Sequence, residues 1–290
     1  MHPAPSVIIF SVLSGMGFGL LAYLGAGFVM PAGWTAFLWW GLGYALAIAG
    51  LMAATFHLGN PKNAVKAFSQ WRTSWLSREA WAAAATLLAL APMALSDWLG
   101  LGWPRGLGYP GAALALFTVF TTAMIYTQIK AVPRWNHWIN PLMFLGFALA
   151  GGAVLAGQGW AFYLLVALGL VLIAVWQVGD KQFARCAQTM GTATGLDRIG
   201  EVTVFEQPHT GGNYLMREMI FVVGRKHAQK LRVIALVLAA AVPAVLLAVL
   251  PSTLWAHALA AICHLIGAFA ARWLFFAEAE HVVGLYYGAR

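Results

Sequence analysis

The chain has 290 residues, 61% of them hydrophobic and 9% charged, with a formal net charge of +8 and a mean hydropathy of +0.76. Soluble domains carry about 25% charged residues, so this composition excludes a water-soluble enzyme and points to repeated membrane crossings. The positive surplus needs no nucleic acid, because membrane topology accounts for it.

A helix needs roughly 20 apolar residues to cross the hydrocarbon core, and unpaired backbone groups cannot be left in lipid. In chain order the sequence predicts eight such helices, near 7–29, 35–56, 80–98, 109–129, 140–157, 160–178, 232–250 and 253–276. The expected fold is therefore an all-α, eight-span membrane bundle forming one integral domain over 1–290. Pro31, Trp103-Pro104-Arg105-Gly106, Pro133, Gly157-Gln158-Gly159 and Pro251 mark its breaks. Pro243 inside the seventh span predicts a local break in that helix's hydrogen bonding.

With eight spans both termini share one side. On it fall Lys62, Lys66, Arg72 and Arg78, then Lys130 and Arg134, then the basic residues of the 179–231 connection, then Arg290; Arg105 stands alone opposite. Lys/Arg excess marks cytoplasmic loops, so both termini and the polar loops are expected in the cytoplasm. The long 179–231 loop has apolar stretches, and Tyr214 to Val223 reads as a helix start suited to packing on a partner. Most of the fourteen tryptophans sit near span ends, as interfacial belt residues do.

The segment 58–78 gathers unusual polarity between two apolar runs. Between Asn63 and Trp75 its apolar residues recur at helical spacing, which predicts an amphipathic helix on the membrane surface. Ser77 is expected to cap the next helix, with Glu79 suiting its N-terminal dipole. His57 closes the second span. An ionisable group at the bilayer edge is a functional candidate, and a histidine both binds a carbonyl oxygen and moves protons near neutral pH. A quinone headgroup requires both, although a lone histidine at a helix end is also an ordinary interfacial side chain.

Cys186 and Cys263 form no CxxC pattern, so no iron–sulfur cluster, covalent haem or other metal site is expected on this chain. His257 and His264 invite a b-haem reading, but His264 lacks a histidine at matching depth. Absence of repeats and midplane acids speaks against a secondary transporter. A purely structural anchor stays open at this point.

"HLGNP" followed by "NAVKAFSQWRTSWLSRE", "IYTQIKAVPRWNHWINPLMFLG" (125–146) and, more weakly, "ARWLFFAEAEHVVGLYY" resemble blocks of the DMSO reductase anchor family. The resemblance implies an inner-membrane, multi-pass anchor in a bacterium. Its implied partners are a four-cluster ferredoxin-like iron–sulfur subunit and a molybdopterin catalytic subunit, which carry those cofactors. It also implies electron exchange with ubiquinone or menaquinone, with His57 as the quinone-binding, catalytic residue. Around it, Trp71, Arg72, Trp75, Ser77, Arg78, Glu79, Tyr126 and His137 are candidates for the same site. Arginine can stabilise charge on a quinone oxygen, and glutamate can relay protons. Lys62, Lys66, Arg217, Arg225 and Arg272 are candidate contacts to the partners. The cytoplasmic loops and the "WRTSWLSRE" wording resemble the family branch that anchors sulfite-oxidising, quinone-reducing complexes. A quinol-oxidising, DMSO reductase-type complex is the alternative.

Overall fold

A computed structural model describes residues 1–206, 211–220 and 226–287. Within them the chain is helical, without a strand. The long helices are α1 (Pro5–Gly25), α2 (Gly33–Thr55), α3 (Trp75–Leu99), α4 (Tyr109–Thr127), α5 (Ile139–Leu155) and α6 (Ala161–Arg185). Two short helices, α7 (Met190–Thr194) and α8 (Tyr214–Met219), lie in the long connection. They are followed by α9 (Ala228–Leu236), a π-helical stretch Val237–Ala241, α10 (Val242–Val249) and α11 (Leu254–Ala277). Among the described residues, seven helical segments are long and apolar enough to cross a bilayer, α9 to α10 counting as one continuous segment. The expected fifth span differs. α5 has 17 residues, or about 26 Å of helix, because Gly157 at φ 66° stops it early.

The first helix is the axis of the bundle. It packs against α2, α4, α5 and α11, and it is apolar all round, as a helix surrounded by other helices must be. Small residues let backbones meet where no hydrophobic force separates helix from lipid. Gly19 of α1 lies against Gly152 and Ala148 of α5 so closely that a Cβ would stand 2.0 Å from the Ala148 carbonyl oxygen. Gly267 of α11 admits the backbone of Ala239 in the same way.

The break expected from Pro243 is present, as the π-helical turn immediately before it. Pro243 has no N–H to offer the carbonyl four residues back, that of Ala239. That carbonyl accepts instead from His264 Nδ1, 2.6 Å away. A carbonyl only accepts, so Nδ1 carries the proton. His264 is thus tied to the backbone of the neighbouring helix, which gives this histidine a structural role.

One end of the bundle gathers both termini of the described chain and most of its ion pairs. The Met1 ammonium donates to the Ala279 carbonyl at 2.6 Å, and the Trp135 indole donates to the Phe275 carbonyl at 2.9 Å. Arg134, Asp180, Arg232 and Glu278 interlock there: Arg232 binds Asp180 through both terminal nitrogens (2.6 and 2.8 Å) and Glu278 through Nε (2.6 Å). Arg134 completes the cluster by pairing with Asp180 and, at 3.3 Å, with Glu278. At the other end stand aromatic contacts such as Tyr23, Phe28 and Trp160, and one bidentate pair, Arg105–Asp97 (2.8 and 3.0 Å). The Trp40 indole also donates to Asp97.

Candidate functional site

The amphipathic helix expected between Asn63 and Trp75 is present only in part, as a short 3-10 helix. Pro61–Phe68 is a 3-10 helix followed by turns to Ser74. Its apolar residues do recur at helical spacing, but the turns from Ser69 to Thr73 end the helix after eight residues. Arg78, one turn into α3, holds this segment down. Its Nε donates to the Trp71 carbonyl (3.0 Å) and its Nη2 to the Arg72 carbonyl (2.7 Å), while its guanidinium lies 4.3 Å from the Trp75 ring centre. The Trp81 indole donates to the Phe68 carbonyl at 3.0 Å. Ser77 does not cap α3: the helix starts at Trp75 without a side-chain cap, and the Ser77 hydroxyl accepts from the Gln70 amide at 3.3 Å.

Beneath this segment a groove of about 650 Å³ opens on the outside of the bundle, between α3 and α4. Its walls are Trp71, Trp81, Ala82, Ala85, Leu114 and Phe117, with Arg78 as the charged residue. Two of the expected site residues, Trp71 and Arg78, therefore come together on one apolar cleft. Trp75 packs against Phe120 and under Arg78 beside it, and the Arg72 guanidinium stands 5.5 Å from the Trp71 ring centre.

The others part company from this cleft. Glu79 is 4% exposed and turns to the inner side of α3, where the Thr122 hydroxyl donates to its carboxylate. The reason is helical phase: Arg78 and Glu79 are adjacent in sequence, so they project about 100° apart. Tyr126 belongs to an aromatic cluster with Trp135, Phe144, Phe275 and Phe276. His137 accepts the Ile139 amide at Nδ1 (3.1 Å), closing the turn into α5. His57 is exposed in the turn after α2, at the same end of the bundle as the groove mouth but not among its lining residues.

Lys62, Lys66 and Arg217 are exposed, as partner contacts must be, and Arg225 lies outside the described residues. Arg272 is corrected: it is 3% exposed, with its guanidinium 3.4 Å from the Phe144 ring centre, inside the bundle and out of a partner's reach. Sequence reasoning missed Thr122, Trp81 and the interlocked arginines. Only the presence of both acids and bases near several span ends hinted at the last. Among the described residues, no group of three His, Cys, Asp or Glu side chains gathers to hold a metal.

A many-helix membrane protein with a polar segment folded over a lateral apolar cleft is the class these observations define. The family model of the DMSO reductase anchor subunit (DmsC) matches residues 3–288, and the chain belongs to that family. It is also similar to a subunit of the sulfite dehydrogenase of Allochromatium vinosum, with 32% identity over 324 aligned positions that cover 99% of each chain. No solved structure matches it.

Proposed function

We propose that this chain anchors a molybdopterin and iron–sulfur oxidoreductase in the bacterial inner membrane and holds the quinone site of that complex. The groove between α3 and α4 carries the reading. It is apolar along Ala82, Ala85, Leu114 and Phe117, as an isoprenoid tail requires, and it has a cation and an indole ring at its mouth. Bound quinone supplies a two-electron, two-proton acceptor. Arg78 donates toward a carbonyl oxygen and favours negative charge there. Trp71 offers a flat face to the ring. Glu79, on the inner side of α3, holds a proton next to the site, and His57 at the water-facing edge exchanges protons with the aqueous phase.

The surroundings fit this reading. Reading α5 as the eighth span brings both termini to one side, in keeping with the Met1–Ala279 contact. The Lys/Arg excess then favours the cytoplasm for that side. The exposed Lys62, Lys66 and Arg217 face the same compartment, where a ferredoxin-like subunit and a molybdopterin subunit dock. The similarity to a sulfite dehydrogenase subunit favours sulfite as the electron source and quinone as the acceptor.

Filling the groove tests the site. In the assembled complex, Ala85→Phe should cut quinone reduction at least about ten-fold while substrate oxidation with a soluble dye continues. His57→Ala should abolish quinone reduction and spare assembly. Quinone reduction within about two-fold of the parent in Ala85→Phe would overturn the groove assignment, and the same result in His57→Ala would remove His57 from the site.

A further inference from the structure

Inside the bundle, Arg272 of α11 has a donor group that none of the described residues satisfies: its Nη1 is fully buried and has no hydrogen-bond partner among them. It borders a small, largely apolar cavity whose polar lining is completed by Ser11 and Ser14 of α1 and Thr122 of α4, with about 10 Å³ of room for the centre of a water molecule. That is the size of a single-water site. The hydroxyls around it have committed their protons. Ser14 donates to the Phe10 carbonyl (2.7 Å), Ser11 to the Ile8 carbonyl (3.2 Å), and Thr122 to Glu79 or the Thr118 carbonyl. Toward the cavity they present lone pairs. The wall thus offers the unpaired Nη1 amino group and several acceptors, and water is the small molecule that serves both. A buried guanidinium N–H left unpaired would otherwise cost the desolvation of a charged donor.

We infer that this cavity is an internal water site, and that Arg272 acts through it on Glu79. Water accepts from Arg272 Nη1 and donates to Thr122 Oγ1, whose own proton points to the Glu79 carboxylate. All donors in the chain run in one direction, from the guanidinium to the acid. Arg272 is therefore a positioning residue: through the water it orients Thr122 toward Glu79 without touching the groove. The other groups facing Glu79 are Thr122 and Tyr126 of α4; on its own helix, Arg78 is turned away to the loop carbonyls. The water site stands on geometry alone, and the role of Arg272 rests on the proposed proton exchange at Glu79.

Two measurements on the assembled complex decide it. Cryo-electron microscopy at a resolution that shows ordered water should place density within hydrogen-bond reach of Arg272 Nη1 and Thr122 Oγ1; an empty cavity or a bulkier occupant overturns the site. Arg272→Gln should lower kcat for quinone reduction about ten-fold or more with KM little changed, and Arg272→Lys should recover most of it. A kcat within about two-fold of the parent, or a loss confined to KM, overturns the role of Arg272. Where Arg272→Gln does not assemble, Ser14→Val substitutes for it: the added methyl expels the water, and kcat should fall while the Arg272 charge remains. Unchanged kcat in Ser14→Val overturns the link. Full activity in Glu79→Gln would instead remove the proton role of Glu79 and leave the water site standing.

Discussion

The two ends of the bundle are closed by different chemistry. At the end bearing the termini, four ionised side chains from the 133–138 turn, α6, α9 and α11 interlock, with Glu278 only 4% exposed. At the other end a single pair, Asp97–Arg105, eight residues apart in sequence, sits among packed rings. Connector length explains the contrast. The second end is joined by short turns such as 156–160 and 250–253, so neighbouring helices are placed by the chain itself. At the first end the connection from α6 to α9 runs over some forty residues. Helices joined so loosely need a lock that reads charge, and Arg232 supplies it by reaching both α6 and α11.

The largest expected effect breaks that lock. Glu278→Ala leaves the Arg134 and Arg232 guanidinia together with only the half-exposed Asp180 to balance them. Removing one partner of a buried ion cluster costs about 3–5 kcal/mol. Asp97→Ala should cost less, about 1–3 kcal/mol, because Arg105 is partly exposed and can turn to water. Thermal unfolding of the detergent-solubilised protein measures both. Equal losses would show that connector length does not set where the chain relies on charge.

A smaller effect lies between the ends. His264→Ala strands the Ala239 carbonyl, which Pro243 cannot serve, and should cost roughly 1–3 kcal/mol. In a Pro243→Ala background the restored N–H at position 243 can take that carbonyl, so the same His264→Ala change should cost clearly less. The double-mutant cycle reads the difference directly. Additive losses would mean that His264 stabilises α11 by packing alone.

What the sequence makes legible follows from the range of the forces involved. Span positions emerge because hydrophobic run length is local, and Pro243 announces its own π-helical turn because the missing N–H belongs to one residue. The blocks around His57 and Trp135 point to the family that the whole chain matches. The ion cluster was not legible, since Arg134 and Glu278 are 144 positions apart and only the packed bundle joins them. Arg72 and Arg78 read as surface charge or as cations for a quinone oxygen; their spacing did not show that Arg78 spends two donors on loop carbonyls seven and six residues back. Arg272 looked like a helix-end cation; only the depth of α11 within the bundle, set by Gly267 and Ala239, turns it inward. The 3-10 form of 61–68 escaped because apolar spacing at three and at three and a half residues is indistinguishable over so short a stretch.

The smallest effect sharpens the comparison at the ionic end. His281 is half buried beside the Met1 ammonium, and burial, then that charge, lowers its proton affinity below the ordinary imidazole value. Its Nδ1 also accepts the Val283 amide at 3.0 Å, a bond that protonation there would break. As pH falls below roughly 6.5, the unfolded chain takes up this proton while the folded chain resists it. The unfolded state then binds more protons, so stability declines with acid in that window and is unaffected by this group above it. His281→Gln should flatten the dependence of the thermal midpoint on pH between roughly 6.5 and 5.5, with little change at pH about 8. The effect is modest because the ring is only half removed from water. A slope that survives in His281→Gln would place the acid sensitivity of this end in the carboxylates of its ion cluster, which the single pair at the opposite end cannot match.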